Sequence, residues 1–163
     1  MRLLLLVTML CSVLGLSMTA LASGGGDSAG VIEKTPAKPV DPNFAQAKVA
    51  IEAQNYAAAL PLLQQVVAKD PKNADAYNLM GYATRKSGDP NGSLQYYNTA
   101  LQIDPKHLGA HEYVGEAYLM LNRLPEAEQH LARLDSLCLF GCTEYRMLKT
   151  AIASYKASHK ATN

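Results

Sequence analysis

From about residue 40 onward, apolar residues recur at helical spacing, punctuated by Asp-Pro and Gly-Asp dipeptides. No stretch alternates apolar and polar over a strand's length with β-branched enrichment, so the pattern predicts an all-α domain. Asp precedes Pro at Asp41-Pro42, Asp70-Pro71, Asp89-Pro90 and Asp104-Pro105. That dipeptide suits a helix start, because the carboxylate caps free amides and proline fits the first turn. Near the end, Tyr145, Leu148, Ile152 and Tyr155 follow one another at spacings of three, four and three. They predict a capping helix over 142–157, apolar on one side and polar on the other.

The helical pattern repeats. Asp70-Pro71 and Asp104-Pro105 lie 34 residues apart, and a shift of 34 superimposes small Ala59, Ser93 and Ala127. The same shift aligns large Leu63, Tyr97 and Leu131, then Gly81 with Gly115, Tyr77 with His111 and Met80 with Val114. Turn segments also coincide: Gln54-Asn55-Tyr56, Gly88-Asp89-Pro90 and Asn122-Arg123-Leu124. Three units result, roughly 40–73, 74–107 and 108–141, followed by a helix that begins a fourth. Physically, Gly81 and Gly115 admit a close neighbour at about 1 kcal/mol of helix propensity relative to Ala. No single unit can bury its own apolar face, so the units share one continuous core.

This pattern resembles the tetratricopeptide repeat. The middle unit matches through Tyr77, Met80, Gly81, Ser93, Tyr97, Ala100 and Pro105. The third matches through Gly115, Tyr118 and Ala127 but has Leu134 and Leu139 in place of the closing Ala and Pro. The first keeps Ala59, Leu63 and Pro71, with Ala47 where Gly is usual. The resemblance implies helix–turn–helix units stacked as a short right-handed α-solenoid with a C-terminal capping helix, the domain covering 40–160. It also implies a concave groove, lined by the first helices, that receives a protein or peptide partner. Carried over position by position, that groove is expected from Phe44, Lys48 and Ile51, then Asn78, Tyr82 and Arg85, then Glu112, Glu116 and Leu119. Asn78 is suited to a peptide backbone, Tyr82 to stacking and Arg85 to a carboxylate. The Lys and Asn set of the two-carboxylate clamp found in some relatives is not evident.

The chain begins differently. Met1-Arg2 precedes an apolar run from Leu3 to Leu16, and Ala20-Leu21-Ala22 supplies a small-x-small cleavage pattern. The reading is a secretory signal peptide over 1–22, whose apolar run is too short for the ~20 residues a bilayer span needs. A lipoprotein signal through Cys11 is disfavoured, since Leu10 stands where a small residue is required. Residues 23–39 are rich in Gly, Ser and Pro and read as a flexible linker. The protein is therefore expected to be exported, to a periplasm first and to the extracellular space as the alternative, without stable membrane insertion after cleavage.

Composition sharpens this. The 163 residues carry 15 Lys and Arg against 14 Asp and Glu, and 48% are hydrophobic. Removing the leader takes Arg2 away and leaves the charges balanced, which argues against nucleic acid or an acidic membrane as partner. It also removes Cys11, leaving only Cys138 and Cys142. An even pair in an exported chain points to a disulfide, here replacing the missing closing Ala and Pro. A second reading is a redox or copper-handling accessory using the same two thiols, with Met147 and His130 as further ligands.

Other chemistry is thin. His107 and His111 have one-turn spacing, but His107 falls in a turn and His111 takes the core position equivalent to Tyr77. His159 is assigned to an unordered tail, and Glu112 and Glu116 to a solvated face. No Gly-x-Ser-x-Gly, His-Glu-x-x-His or phosphate-cradling loop occurs. Neither catalysis, a metal nor a cofactor is expected. Self-association through the apolar ends stays open.

Overall fold

The computed structural model describes residues 40–160; the expected leader over 1–22 and linker over 23–39 lie outside them. Seven helices follow in order among the described residues. They are α1 (Pro42–Glu52), α2 (Tyr56–Lys69), α3 (Ala74–Lys86), α4 (Pro90–Ile103), α5 (Leu108–Met120), α6 (Leu124–Leu137) and α7 (Thr143–Lys160). Helix α1 pairs with α2, α3 with α4 and α5 with α6, while α3 and α5 also touch and α7 packs on α5 and α6.

The turn inside each pair contains one residue in the left-handed region: Gln54 at φ 57°, Gly88 at 96° and Asn122 at 58°. These positions are 34 apart, so the repeat is written into the backbone as well as the side chains. Gly and Asn tolerate that conformation; Gln54 adopts it at a steric cost.

Helix starts are more varied than the Asp-Pro dipeptides suggest. Asp41 accepts from the Asn43 amide at 2.7 Å and Asp89 from Gly92 at 2.7 Å, each with Pro at the first helical position. Asp70 and Asp104, however, are the C-caps of α2 and α4. The following helices start instead from Asn73, which accepts from Ala76 N, and His107, whose Nδ1 accepts from Ala110 N. In these two inter-repeat turns Pro terminates one helix and a later residue starts the next, because Pro71 and Pro105 lie outside both helices.

The buried apolar residues form three clusters along the stack. Ala59, Ser93 and Ala127 are wholly buried, and the largest fully buried side chains include Tyr97, Leu63, Leu134 and Leu148. Ser93 satisfies its hydroxyl by donating to the Pro90 carbonyl at 2.7 Å. A methyl added at Gly81 would meet Tyr97 Cε1 at 2.6 Å, and one at Gly115 would meet Leu148 Cδ2 at 2.6 Å. Both glycines are required by close approach. Helix α7 runs three residues beyond the expected 157 and includes His159, whose ring stacks 3.9 Å from that of Tyr155. The tail assignment of His159 is therefore corrected: the aromatic pair holds it within the helix.

Candidate functional site

Helix α5 touches both α3 and α7, and α3 and α5 carry Asn78, Tyr82, Arg85, Glu112, Glu116 and Leu119 of the expected groove residues. This set is organised around Arg85. The guanidinium is buried; its Nε donates to the Tyr97 hydroxyl at 3.3 Å, and Nη2 lies 2.7 Å from Glu116 Oε2. That contact is an ion pair whose angle is too bent for a hydrogen bond. The Arg85 carbon also sits 5.5 Å from the Tyr82 ring centre and 5.7 Å from that of Tyr113. Tyr82 and Tyr113 lie 4.9 Å apart, with Tyr56 and Tyr97 extending the row at 6.1 and 6.4 Å. Two rings, Tyr82 of α3 and Tyr113 of α5, thus face one cation whose Nε also donates to the Tyr97 hydroxyl of α4, a geometry that favours the charge despite its burial.

Glu112 is the second unusual group. It retains only 3% exposure, and burial, helped by Glu116 and Glu144, pushes its carboxyl up to about 7 against the opposing pull of Arg85. Its Oε1 has no hydrogen-bond partner, and neither has the Oδ1 of Asn78, which is 6% exposed. Asn78 lies against α5 one turn before Glu112, since a methyl at Gly109 would stand 3.2 Å from its Nδ2. Burial, followed by the nearby Glu112, also pushes the Tyr113 hydroxyl up to about 12. Beside Glu116 lies a cavity of about 420 Å³ lined by Glu116, Thr143, Arg146, Met147, Thr150 and Ala151.

The expected residues fare unequally. Lys48 is exposed, Tyr82 and Glu116 are half-buried and reachable, and Phe44 and Ile51 pack against the core of the first repeat. Leu119 is buried with Leu134 and Leu148. Arg85 is held internally by Glu116 and Tyr97, so it is a strut under the groove and not a free clamp for a carboxylate. Glu112 is buried, which corrects its assignment to a solvated face; α7 covers that end of α5. Reading α7 only as a cap missed Arg146 and Thr150. Both were findable, since they stand 34 residues after Glu112 and Glu116.

The histidines separate. His107 Nε2 donates to Asp75 at 3.1 Å, because its Nδ1 accepts from Ala110. His111 instead meets His130 across α5 and α6, with Nδ1 to Nδ1 at 2.9 Å, and its Nε2 lies 3.2 Å from the Pro105 carbonyl. With Nε2 donating to that carbonyl, His111 Nδ1 accepts and His130 donates, so both rings are neutral. Burial, then His111, pushes His130 down to about 4, and burial lowers His111 too. No sequence spacing signals this pair, which joins two helices of one repeat. Cys138 and Cys142 form a disulfide. His130 is engaged with His111 and Met147 lines the cavity beside Glu116. Among the described residues, no group of three or more His, Cys, Asp or Glu is placed to hold a metal ion.

Two family models for the tetratricopeptide repeat match residues 44–107 and 85–152, together more than half the chain. The chain belongs to the tetratricopeptide repeat family. Among solved structures, the tetratricopeptide repeat domain of Arabidopsis OM64 aligns with a TM-score of 0.63 over 69% of this chain and 93% of that one. At 17% identity that likeness shows the fold alone. MamA from Desulfovibrio magneticus RS-1 aligns at a TM-score of 0.56 and 25% identity, over 58% of this chain and 54% of that one. Among curated proteins, the protein O-mannosyl-transferase TMTC3 of Homo sapiens is 32% identical over 76 residues, 47% of this chain. Tmtc3 of Drosophila melanogaster is 35% identical over 66 residues. The chain spans only 8% and 7% of the length of these relatives, so the transferase in their names is said of them. What tetratricopeptide repeats share is a stacked scaffold for protein interaction, and this chain has that architecture.

Proposed function

We propose that this protein is an exported, non-catalytic scaffold that holds a segment of a protein partner along the face formed by α1, α3, α5 and α7. The observation that carries the reading is the reachable part of that face, half-buried Tyr82 and Glu116 with a cavity beside Glu116 lined by Thr143, Arg146, Met147, Thr150 and Ala151. Tyr82 offers a partner a ring edge, and the cavity beside Glu116 offers a place for a side chain. Export is supported by the basic start, short apolar run and small-x-small pattern over 1–22.

Two measurements test the reading. Mass spectrometry of the protein recovered from its native host is expected to give Ser23 as the first residue; an intact Met1 overturns the cleavage. Affinity capture is compared between the wild type and Lys48→Glu, Tyr82→Ala and Thr150→Arg, with Gln95→Ala on exposed α4 as control. A groove partner is lost at least tenfold in the first three and kept by the control. Equal recovery in all four removes the groove from the proposal.

A further inference from the structure

Two apolar features lie outside the groove. The first is the loop closed by the Cys138–Cys142 disulfide, at whose tip Leu139 is 86% and Phe140 99% exposed. Its base is braced from α7, where Arg146 donates to the Gly141 carbonyl at 2.6 Å and to Thr143 Oγ1 at 3.2 Å. A bridged and braced loop cannot fold these two side chains back onto its own core. The second is a cavity of about 480 Å³ at the start of α1, with Val40, Pro42, Phe44 and Val66 in its wall and Val40 itself 68% exposed. That volume falls within the ~300–1,000 Å³ of pockets that enclose ligands and has room for two adjacent side chains.

Charge and position match the two features. The rim of the cavity carries Asp41, Asp70 and Asp75 against Lys69. The halves of α6 and α7 next to the loop carry Arg133, Arg146 and Lys149 against Asp135 and Glu144. Both features belong to connections of one kind, the turn from a second helix to the next first helix, at α2–α3 and at α6–α7. They therefore lie on the same edge of the stack, two repeats apart. A displacement along the stack carries the loop of one copy toward the cavity of the next.

We propose that Leu139 and Phe140 of one copy seat in the cavity walled by Val40 and Phe44 of a second copy, joining the protein head to tail. Such a contact uses different surfaces on the two partners, so it does not close on itself as a two-fold dimer does. Each copy keeps one unused loop and one unused cavity, and assembly proceeds to short chains or a ring. The contact is small, so it forms at high protein concentration.

Sedimentation of the whole purified protein tests this from low micromolar to near-millimolar concentration. The wild type is expected to grow in mass beyond a dimer as concentration rises, and to do so less at high salt. Leu139→Asp/Phe140→Asp removes the knob and Val40→Arg blocks the socket, both at exposed positions. Each variant alone should associate at least tenfold more weakly than the wild type. Mixed one to one, the two should stop at a heterodimer, because the first keeps its socket and the second its knob. A wild type that stays monomeric throughout overturns the proposal, as does a knob variant that assembles like the wild type. A monomer that instead floats with anionic vesicles through Phe140 makes a bilayer the occupant, and equally overturns it.

Discussion

The second and third repeats solve the same packing problem with different residues. In the second, Gly81 of α3 receives the ring of Tyr97 from its own partner helix α4, and the Tyr97 hydroxyl accepts from Arg85. In the third, Gly115 of α5 receives Leu148, contributed by α7, while Leu131, the counterpart of Tyr97, is only partly buried. The second repeat is plugged from within, whereas the third borrows its plug from the helix that follows. The closing turns differ in parallel. The second unit ends on Asp104-Pro105 and the third on a disulfide. Helix α7 is thus a structural part of the third repeat and, in the proposed reading, one wall of the groove.

The sharpest way to break this comparison is to remove each plug. Tyr97→Ala is expected to cost about 3–5 kcal/mol and Leu148→Ala about 2–5 kcal/mol, read by urea unfolding. Only Leu148→Ala should raise amide exchange across 143–160 ahead of global unfolding; equal exchange in both variants would show that α7 is not the borrowed part. Adding a methyl opposite each plug comes next. Gly81→Ala forces a wholly buried ring aside and should cost about 1–3 kcal/mol. Gly115→Ala displaces the equally buried but more flexible tip of Leu148, so it should cost less than Gly81→Ala. A larger loss at Gly115 than at Gly81 would reverse the argument.

A smaller contrast appears with pH. Glu112 binds its proton more tightly folded than unfolded, so its contribution is present at low pH and fades as pH rises from about 4.5 to 7. His130 is the opposite case: the folded protein resists protonating it, so stability is lost as pH falls from about 6.5 to 4. The two slopes oppose each other in the wild type. Glu112→Gln should leave a stability that climbs with pH over this window, and His130→Phe one that declines, by denaturant midpoints at half-unit steps. The smallest expected change is at the first turn. Gln54→Gly relieves a left-handed backbone and should stabilise by up to about 1 kcal/mol, with no gain at Asn122→Gly.

The 34-residue register made much of the fold legible. Ala59, Ser93 and Ala127 are all wholly buried, and the left-handed turns fall at the aligned positions 54, 88 and 122. What a register cannot convey is depth. Asn78 and Glu112 share one register position with exposed Arg146, yet α5 and α7 close over them here. Arg85 reads as a free cation until Glu116 and Tyr97 are seen to hold it. His111 and His130 meet only because two antiparallel helices bring unaligned positions together. Asp70 and Asp104 carry the same dipeptide as Asp41 and Asp89 but end helices, and the following helices start from Asn73 and His107.

The buried carboxyl of Glu112 has a consequence for anyone measuring a partner by calorimetry. At neutral pH this group is near half-protonated. A lysine or arginine lowered onto the groove floor would expel the remaining proton into the solution. The observed heat would then vary with the ionisation enthalpy of the buffer, and comparing phosphate with Tris would count the fraction of a proton released. A partner that arrives without a positive charge and buries the carboxyl further would take a fraction of a proton up, reversing the sign of that count.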